Sequence, residues 1–226
     1  ILGWTPQVFT IVSELLVANA NQKRSCIAIL ADKDKVEMKD ELRDRVGNPG
    51  RTRIVCRRSS PIDPNDLEIV SRHGTRSIII LSSEVEDPDS QVIKTLLALT
   101  NNRGRRPEPY HIVAEIRDAR NAEVARMVGQ SEVEPVLATD LVARITVQTC
   151  RQSGLSVVYT ELLDCSGDDI YFKEEPSLVG KTVGEALLAY EDSAVIGLCR
   201  AGKVALNPAM DTRVAAGDQV IAISAD

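Results

Sequence analysis

Short apolar runs alternate with segments of helical periodicity through the first part of this chain. The apolar runs are mostly continuous, as expected for strands that are buried on both faces of a parallel sheet. They predict strands at Cys26–Ala31, Arg53–Cys56, Ser77–Leu81, Tyr110–Glu115 and Val133–Val136. Because strand and helix units repeat in this order, the pattern predicts an α/β fold with a Rossmann-like, doubly wound parallel sheet.

The helical segments lie between these strands. Apolar residues that recur three and four positions apart predict helices at Val8–Ala20, Asp34–Val46, Asp63–Arg72, Asp89–Thr100 and Asn121–Val128. A further helix is predicted at Ala138–Gln152, and apolar residues surround much of its surface, which is typical of a helix buried on more than one side. We expect it either to contact a partner subunit or the next lobe, or to lie in the core of its own domain.

The pattern changes after Gly154. Strands are predicted at Asp169–Lys173, Ala194–Arg200, Lys203–Leu206 and Gln219–Ile223, together with a short helix at Thr182–Tyr190. This is the pattern of a small α+β C-terminal lobe. The predicted organisation is therefore a Rossmann-like N-lobe at 1–137, a crossover or interface helix at 138–154 and a C-terminal lobe at 155–226.

Composition narrows the class of protein. Of the 226 residues, 43% are hydrophobic and 27% charged, the net charge is −6, and the longest basic stretch is only Arg103-Gly104-Arg105-Arg106. We therefore expect no nucleic-acid partner. No apolar stretch approaches the roughly 18 residues of a membrane span. The five cysteines are scattered without the spacing of a zinc site or a disulfide scaffold. The first residues fall within a predicted strand, which suggests a fragment of a longer protein.

The opening residues contain an incomplete nucleotide-binding turn. In the fingerprint G-x-G-x-x-G, the second glycine admits the pyrophosphate and the third allows close helix packing. Gly3 fills the first position, but Thr5 and Val8 occupy the second and third. Asp32, at the end of the next strand, is placed either to bind a ribose hydroxyl or to cap the following helix. Gly3, Thr5 and Asp32 thus form a degenerate nucleotide site, and NAD is not expected to bind.

Acidic residues gather after two neighbouring strands. Glu86, Asp87 and Asp89 follow the strand at Ser77–Leu81, and Glu115 ends the next one. The carboxyl ends of parallel strands meet at one edge of the sheet, where several carboxylates would suit Ca²⁺. The alternative is an acidic loop that caps the next helix. No nucleophile accompanies His73 or His111 in a catalytic motif, so we do not expect an enzyme.

Motifs in both lobes carry a family resemblance. Leu178-x-Gly180-Lys181-Thr182, Gly197–Gly202, Asn207-Pro208 and Ala216–Val220 resemble the C-terminal lobe of an RCK, or TrkA-type, domain. Ile1–Trp4, Leu30–Lys35, Val55–Arg57 and Val128-Gly129 resemble the CASTOR/POLLUX group of ion channels. Together these motifs cover essentially the whole chain.

The resemblance implies a cytosolic, ligand-sensing gating-ring domain that regulates a cation channel. It implies a homo-oligomer, either a dimer or a tetrameric ring, on the cytoplasmic face of a membrane, which in plants is the nuclear envelope. Pore helices upstream and a second RCK copy downstream would complete the full-length chain. In some RCK domains a calcium ion is held near these positions: Asp89 and Glu115 match, whereas Arg117 stands where a third carboxylate is expected. The alternatives are a nucleotide-responsive regulatory subunit of a potassium uptake system and a dinucleotide-dependent oxidoreductase.

Overall fold

Continuous apolar segments in the first part of the chain form a parallel sheet. The computed structural model describes residues 1–102 and 105–225, without the side chain of Arg72. Contacts divide the chain into two compact units, Ile1–Arg151 and Gln152–Asp226. No helix within the described residues is both long enough and apolar enough to cross a membrane.

The sheet of the first unit has two halves joined by the first residues. Its strands are β1 (Ser25–Ala31), β2 (Thr52–Arg58), β3 (Ile78–Ile80), β4 (Ile112–Ile116) and β5 (Val133–Leu137). β1 pairs with β2, and β4 lies between β3 and β5, all in parallel. Leu2 bridges Leu30 of β1 and Ile80 of β3. The order β2-β1-Leu2-β3-β4-β5 is that of a doubly wound sheet, so the predicted fold class is confirmed.

Helices cover both faces of this sheet. They are α1 (Val8–Ala18), α2 (Lys35–Val46), α3 (Pro64–Glu68), α4 (Pro88–Thr100) and α5 (Ala119–Gly129). The next helix, α6 (Ala138–Arg151), has no buried residue and belongs to neither core of this unit. One core joins α1 and α2 to the sheet, and the other joins α3, α4 and α5 to it. The buried side chains of these cores include Val12, Ile29, Met38, Leu67, Leu96, Leu99, Ile112 and Ala125.

The helix predicted at Asp63–Arg72 is much shorter than expected. Asp63 accepts a hydrogen bond from the Asn65 N–H at 2.8 Å and so caps the helix. The helix nevertheless ends at Glu68. Ser71 has φ 52°, a left-handed conformation that a right-handed helix cannot contain. The predicted C-terminal end was therefore wrong.

Two arginines of the basic stretch, Arg105 and Arg106, contact neighbouring segments at the amino edge of the sheet. Arg103 and Gly104 lie outside the described residues. Arg105 pairs with Glu132 at 2.5 Å. Arg106 donates to the carbonyls of His73 and Thr75, and its guanidinium lies 4.7 Å from the ring centroid of Tyr110. The described part of this basic stretch therefore holds neighbouring loops together.

The second unit is built on an antiparallel sheet. Its elements are α7 (Leu155–Leu163), β6 (Asp169–Glu174), α8 (Val183–Leu187), β7 (Ser193–Arg200), β8 (Lys203–Leu206) and β9 (Gln219–Ser224). The strand order is β6-β9-β7-β8. All four predicted strands are present, whereas α7 was not predicted. The core of the second unit includes Leu178, Val183, Ala186, Val195, Leu198, Val214 and Val220.

A charged pair fixes the turn before β9. Asp218 is 4% exposed and accepts from the Arg200 guanidinium and from the Ala215 N–H. Arg200 also donates to the Arg213 carbonyl at 2.9 Å. The hydrogen bonds from Arg200, aided by the one from Ala215, hold the pKa of Asp218 below its usual value against the opposing effect of burial.

Gly129→Ala is expected to destabilise the first unit by about 1–3 kcal/mol, because the added methyl group would overpack the core. A Cβ at Gly129 would lie 1.9 Å from Cγ2 of Val133, whereas one at Gly74 would meet no atom within 4 Å. Gly74→Ala is therefore the matched control. Calorimetric unfolding of both variants tests this, and equal melting temperatures would contradict it.

Asp218→Asn is expected to lower the free energy of unfolding at neutral pH. Because the folded-state pKa is depressed, the stabilising contribution of the carboxylate is present above the unfolded-state pKa of about 3.9. It is lost as the pH falls through the lower, folded-state pKa. Urea unfolding of both proteins along a pH series should find the difference shrinking in acid. A difference that stays constant or grows would contradict the role assigned to Asp218.

Candidate functional site at the carboxyl edge of the sheet

The glycine turn after the first strand packs against the protein itself. Gly3 has φ 103°, and a Cβ there would lie 3.0 Å from the Leu81 carbonyl oxygen. The Gly3 N–H donates to the Leu30 carbonyl at 2.9 Å. Thr5 is 5% exposed, with its hydroxyl 3.3 Å from the Gln7 side-chain oxygen. Gly3 is therefore required by the close approach of the Leu81 backbone, and Thr5 fills the space that a second glycine would leave.

The predicted ribose-binding residue lies on the surface. Asp32 is exposed and lies 3.6 Å from the Arg58 guanidinium. The N-cap of α2 is Asp34, which accepts hydrogen bonds from the N–H groups of Val36 and Glu37. The capping role considered for Asp32 was wrong, because Asp34 takes it. A nucleotide role for Gly3, Thr5 and Asp32 stays a prediction that the packed turn does not favour.

Glu115 contacts residues on both sides of the switch point of the doubly wound order, where such folds place their ligands. One carboxylate oxygen of Glu115 accepts from the Gln7 amide at 3.2 Å, and the other accepts from the Ser82 N–H at 3.0 Å. Gln7 is the N-cap position of α1. A negative charge therefore already faces the helix terminus at which a phosphate would bind.

Asp89 joins α4 to the loop that follows β4. It is 3% exposed although it is ionisable. One oxygen accepts from the Arg117 N–H at 2.9 Å. The other accepts from the Asp118 N–H at 3.0 Å and from the Asn121 amide at 2.8 Å. Both oxygens thus satisfy nitrogen donors of the chain, which accounts for the burial of this carboxylate.

Of the other two candidate metal ligands, Asp87 supports the helix-capping alternative. Asp87 is the N-cap of α4 and accepts from both the backbone N–H and the hydroxyl of Ser90. These bonds hold the pKa of Asp87 below its usual value. Glu86 is exposed in the preceding loop. The acidic run therefore includes a cap of the next helix.

The donor set at this edge does not fit a calcium ion. Within residues 1–102 and 105–225, no three acidic, histidine or cysteine side chains stand close enough together to hold a metal. The Arg117 guanidinium lies 3.1 Å from the Ser82 carbonyl oxygen, so a positive charge is already present there. The predicted convergence of carboxylates is absent from the described residues. Calcium binding by Asp89, Glu115, Asp87 and Glu86 remains a prediction without geometric support.

An open groove lies beside these residues. Its volume is about 530 Å³, and its lining includes Arg117, Asp118, Leu137, Thr139 and Asp140. Arg117 and Asp118 lie between β4 and α5. Leu137 ends β5, and Thr139 and Asp140 lie in the first turn of α6. The groove therefore connects the loop held by Asp89 with the start of α6.

Comparison with solved structures first defines the class of fold. The human SLO3 gating ring matches 99% of this chain and 43% of its own chain, with a TM-score of 0.65 and 14% sequence identity. The chain therefore has the fold of an RCK gating-ring domain, a Rossmann-like unit followed by an antiparallel lobe.

Sequence comparison then shows which family the chain resembles. The family model described as "Castor and Pollux, part of voltage-gated ion channel" matches residues 139–226. The rice proteins "Probable ion channel POLLUX" and "Probable ion channel CASTOR" are 30% and 31% identical over the whole chain. The chain spans about a quarter of their length, 24% and 26% respectively. The resemblance to the CASTOR/POLLUX ion-channel family is thus confirmed.

Asp89→Ala is expected to destabilise the first unit by about 2–4 kcal/mol, because the N–H groups of Arg117 and Asp118 lose their acceptor, the buried Asp89 carboxylate. Asp87→Ala, which removes an exposed cap, should cost only about 1 kcal/mol. Urea unfolding with EGTA present measures both. A loss for Asp89→Ala that occurs only when calcium is supplied would instead identify a metal ligand.

Proposed function

We propose that this chain is a ligand-responsive regulatory domain of a cation channel of the CASTOR/POLLUX type, located on the cytoplasmic face of a membrane. The similarity to these channels along the entire chain carries the proposal. The role is regulatory and not catalytic. As in a gating ring, several copies would assemble, and a ligand with different affinity for two ring geometries would shift their populations.

Helix α6 supports assembly through its exposed apolar side chains. None of its residues is buried, and Leu141 and Val142 are 49% and 63% exposed. At about 100° per residue, Leu141, Val142 and Ile145 share one face of the helix. An apolar stripe of this kind is typical of a contact surface. We assign it to a second copy of this chain, because a gating ring is built from equivalent subunits.

The groove beside Arg117 gives a route from ligand to assembly. A small molecule bound there would touch both the loop held by Asp89 and Thr139 at the start of α6. It could therefore change the position of α6 relative to the sheet. Calcium is the ligand that the family resemblance suggests, but the contacts of Asp89 and Glu115 direct the search for the ligand away from those two residues.

Val142→Asp is expected to lower the association constant of the purified chain at least tenfold, because it places a charge in the apolar contact. Val147→Asp is the matched control. Val147 is similarly exposed, at 58%, and lies about 140° around the helix from Val142. Sedimentation equilibrium over a wide concentration range measures both variants. A monomeric wild type, or weaker association in the Val147 variant alone, would contradict the assignment of this face.

A further inference from the structure

Two loops at the carboxyl edge are tied together entirely by groups of the chain. The loop after β3 includes Ser82, and the loop after β4 includes Arg117 and Asp118. Glu115 accepts from the Ser82 N–H, and the Arg117 guanidinium donates to the Ser82 carbonyl. Asp89, from the first turn of α4, accepts from the N–H groups of Arg117 and Asp118. The two loops are thus joined by hydrogen bonds between charged side chains and backbone groups.

These hydrogen bonds occupy the oxygen atoms with which a bridging metal ion would otherwise join the loops. A divalent ion joins loops by collecting carboxylate and carbonyl oxygens. Here the Ser82 carbonyl faces a guanidinium, and both oxygens of Asp89 face N–H or amide donors. An incoming cation would have to displace those donors and approach the positive charge of Arg117. The oxygen atoms that a cation would need are therefore already bound to N–H, amide or guanidinium donors.

We infer that Glu115, Asp89 and Arg117 form a metal-independent clasp that holds the edge of the sheet closed at any calcium concentration. Arg117 is its tethered cation, and Asp89 positions the backbone of the loop from which Arg117 projects. The clasp does not depend on how copies of the chain assemble. Its failure and the failure of the proposed function are therefore separate outcomes.

Amide exchange followed by NMR tests the clasp in the wild-type chain. The N–H groups of Ser82, Arg117 and Asp118 should be equally protected in EGTA and in calcium, because their acceptors are carboxylates of the chain. Glu115→Ala should speed the exchange of Ser82 by at least roughly tenfold, and Asp89→Ala that of Arg117 and Asp118. Protection of these three amides that appears in the wild type only when calcium is added would overturn the inference.

Substitution of Arg117 tests why a metal is excluded. Arg117→Glu would place a third carboxylate beside Glu115 and Asp89, so its melting temperature should fall in EGTA and recover in calcium. Arg120→Glu is the control, since Arg120 pairs with Asp118 on the surface and does not contact Ser82. Arg117→Gln, which removes only the charge, covers the case in which the glutamate variant does not fold, and it should melt lower than Arg120→Gln. Equal calcium responses in the two glutamate variants, or equal melting of the two glutamine variants, would contradict the role of Arg117.

Discussion

The first unit depends on the insertion of the first residues between two halves of its sheet. The Leu2 N–H donates to Ile79 at 2.7 Å, and the Leu2 carbonyl accepts from Leu81 at 2.8 Å. On the other side, Gly3 donates to Leu30. Because these bonds bring the Leu81 backbone close to Gly3, a Cβ at Gly3 would lie only 3.0 Å from the Leu81 carbonyl oxygen.

This constraint explains why a Rossmann scaffold can be retained without its usual nucleotide turn. Once Gly3 is fixed by packing, the neighbouring positions are free to change, and Thr5 fills its space with a buried side chain. Glu115 then places a carboxylate where an anionic ligand would need donors. The same carboxylate anchors Ser82, which gives Arg117 a carbonyl to bind. The lost nucleotide features and the clasp are thus parts of one arrangement.

The fold was largely predictable, because burial on both faces of a parallel sheet leaves continuous apolar runs such as Ile78–Ile80. Local capping was predictable in part: Asp63 and Asp87 act as caps, whereas Asp34 takes the place considered for Asp32. The contacts of Asp89 and Glu115 could not be predicted, since Glu115 meets Gln7 from 108 positions away. The sequence alone showed only a cluster of acidic residues. The residue type does not reveal whether a carboxylate accepts hydrogen bonds from N–H groups or binds a metal.

The end of α3 and the presence of α7 were missed for a related reason. Ser71 leaves the helical conformation without a glycine or proline to signal it. Helix α7 contains Val157, Val158 and Thr160, whose β-branched side chains do not favour a helix locally.

The central claim is that hydrogen bonds of Glu115, Asp89 and Arg117 close the carboxyl edge of the sheet without a metal. A ligand of the proposed regulatory domain would then act through another surface, such as the groove that leads to α6. A crystal structure grown in calcium tests it most directly. We predict the Arg117 guanidinium on the Ser82 carbonyl and no ion between Asp89 and Glu115. Density there, with oxygen ligands at about 2.3–2.6 Å and Arg117 turned away, would contradict the account.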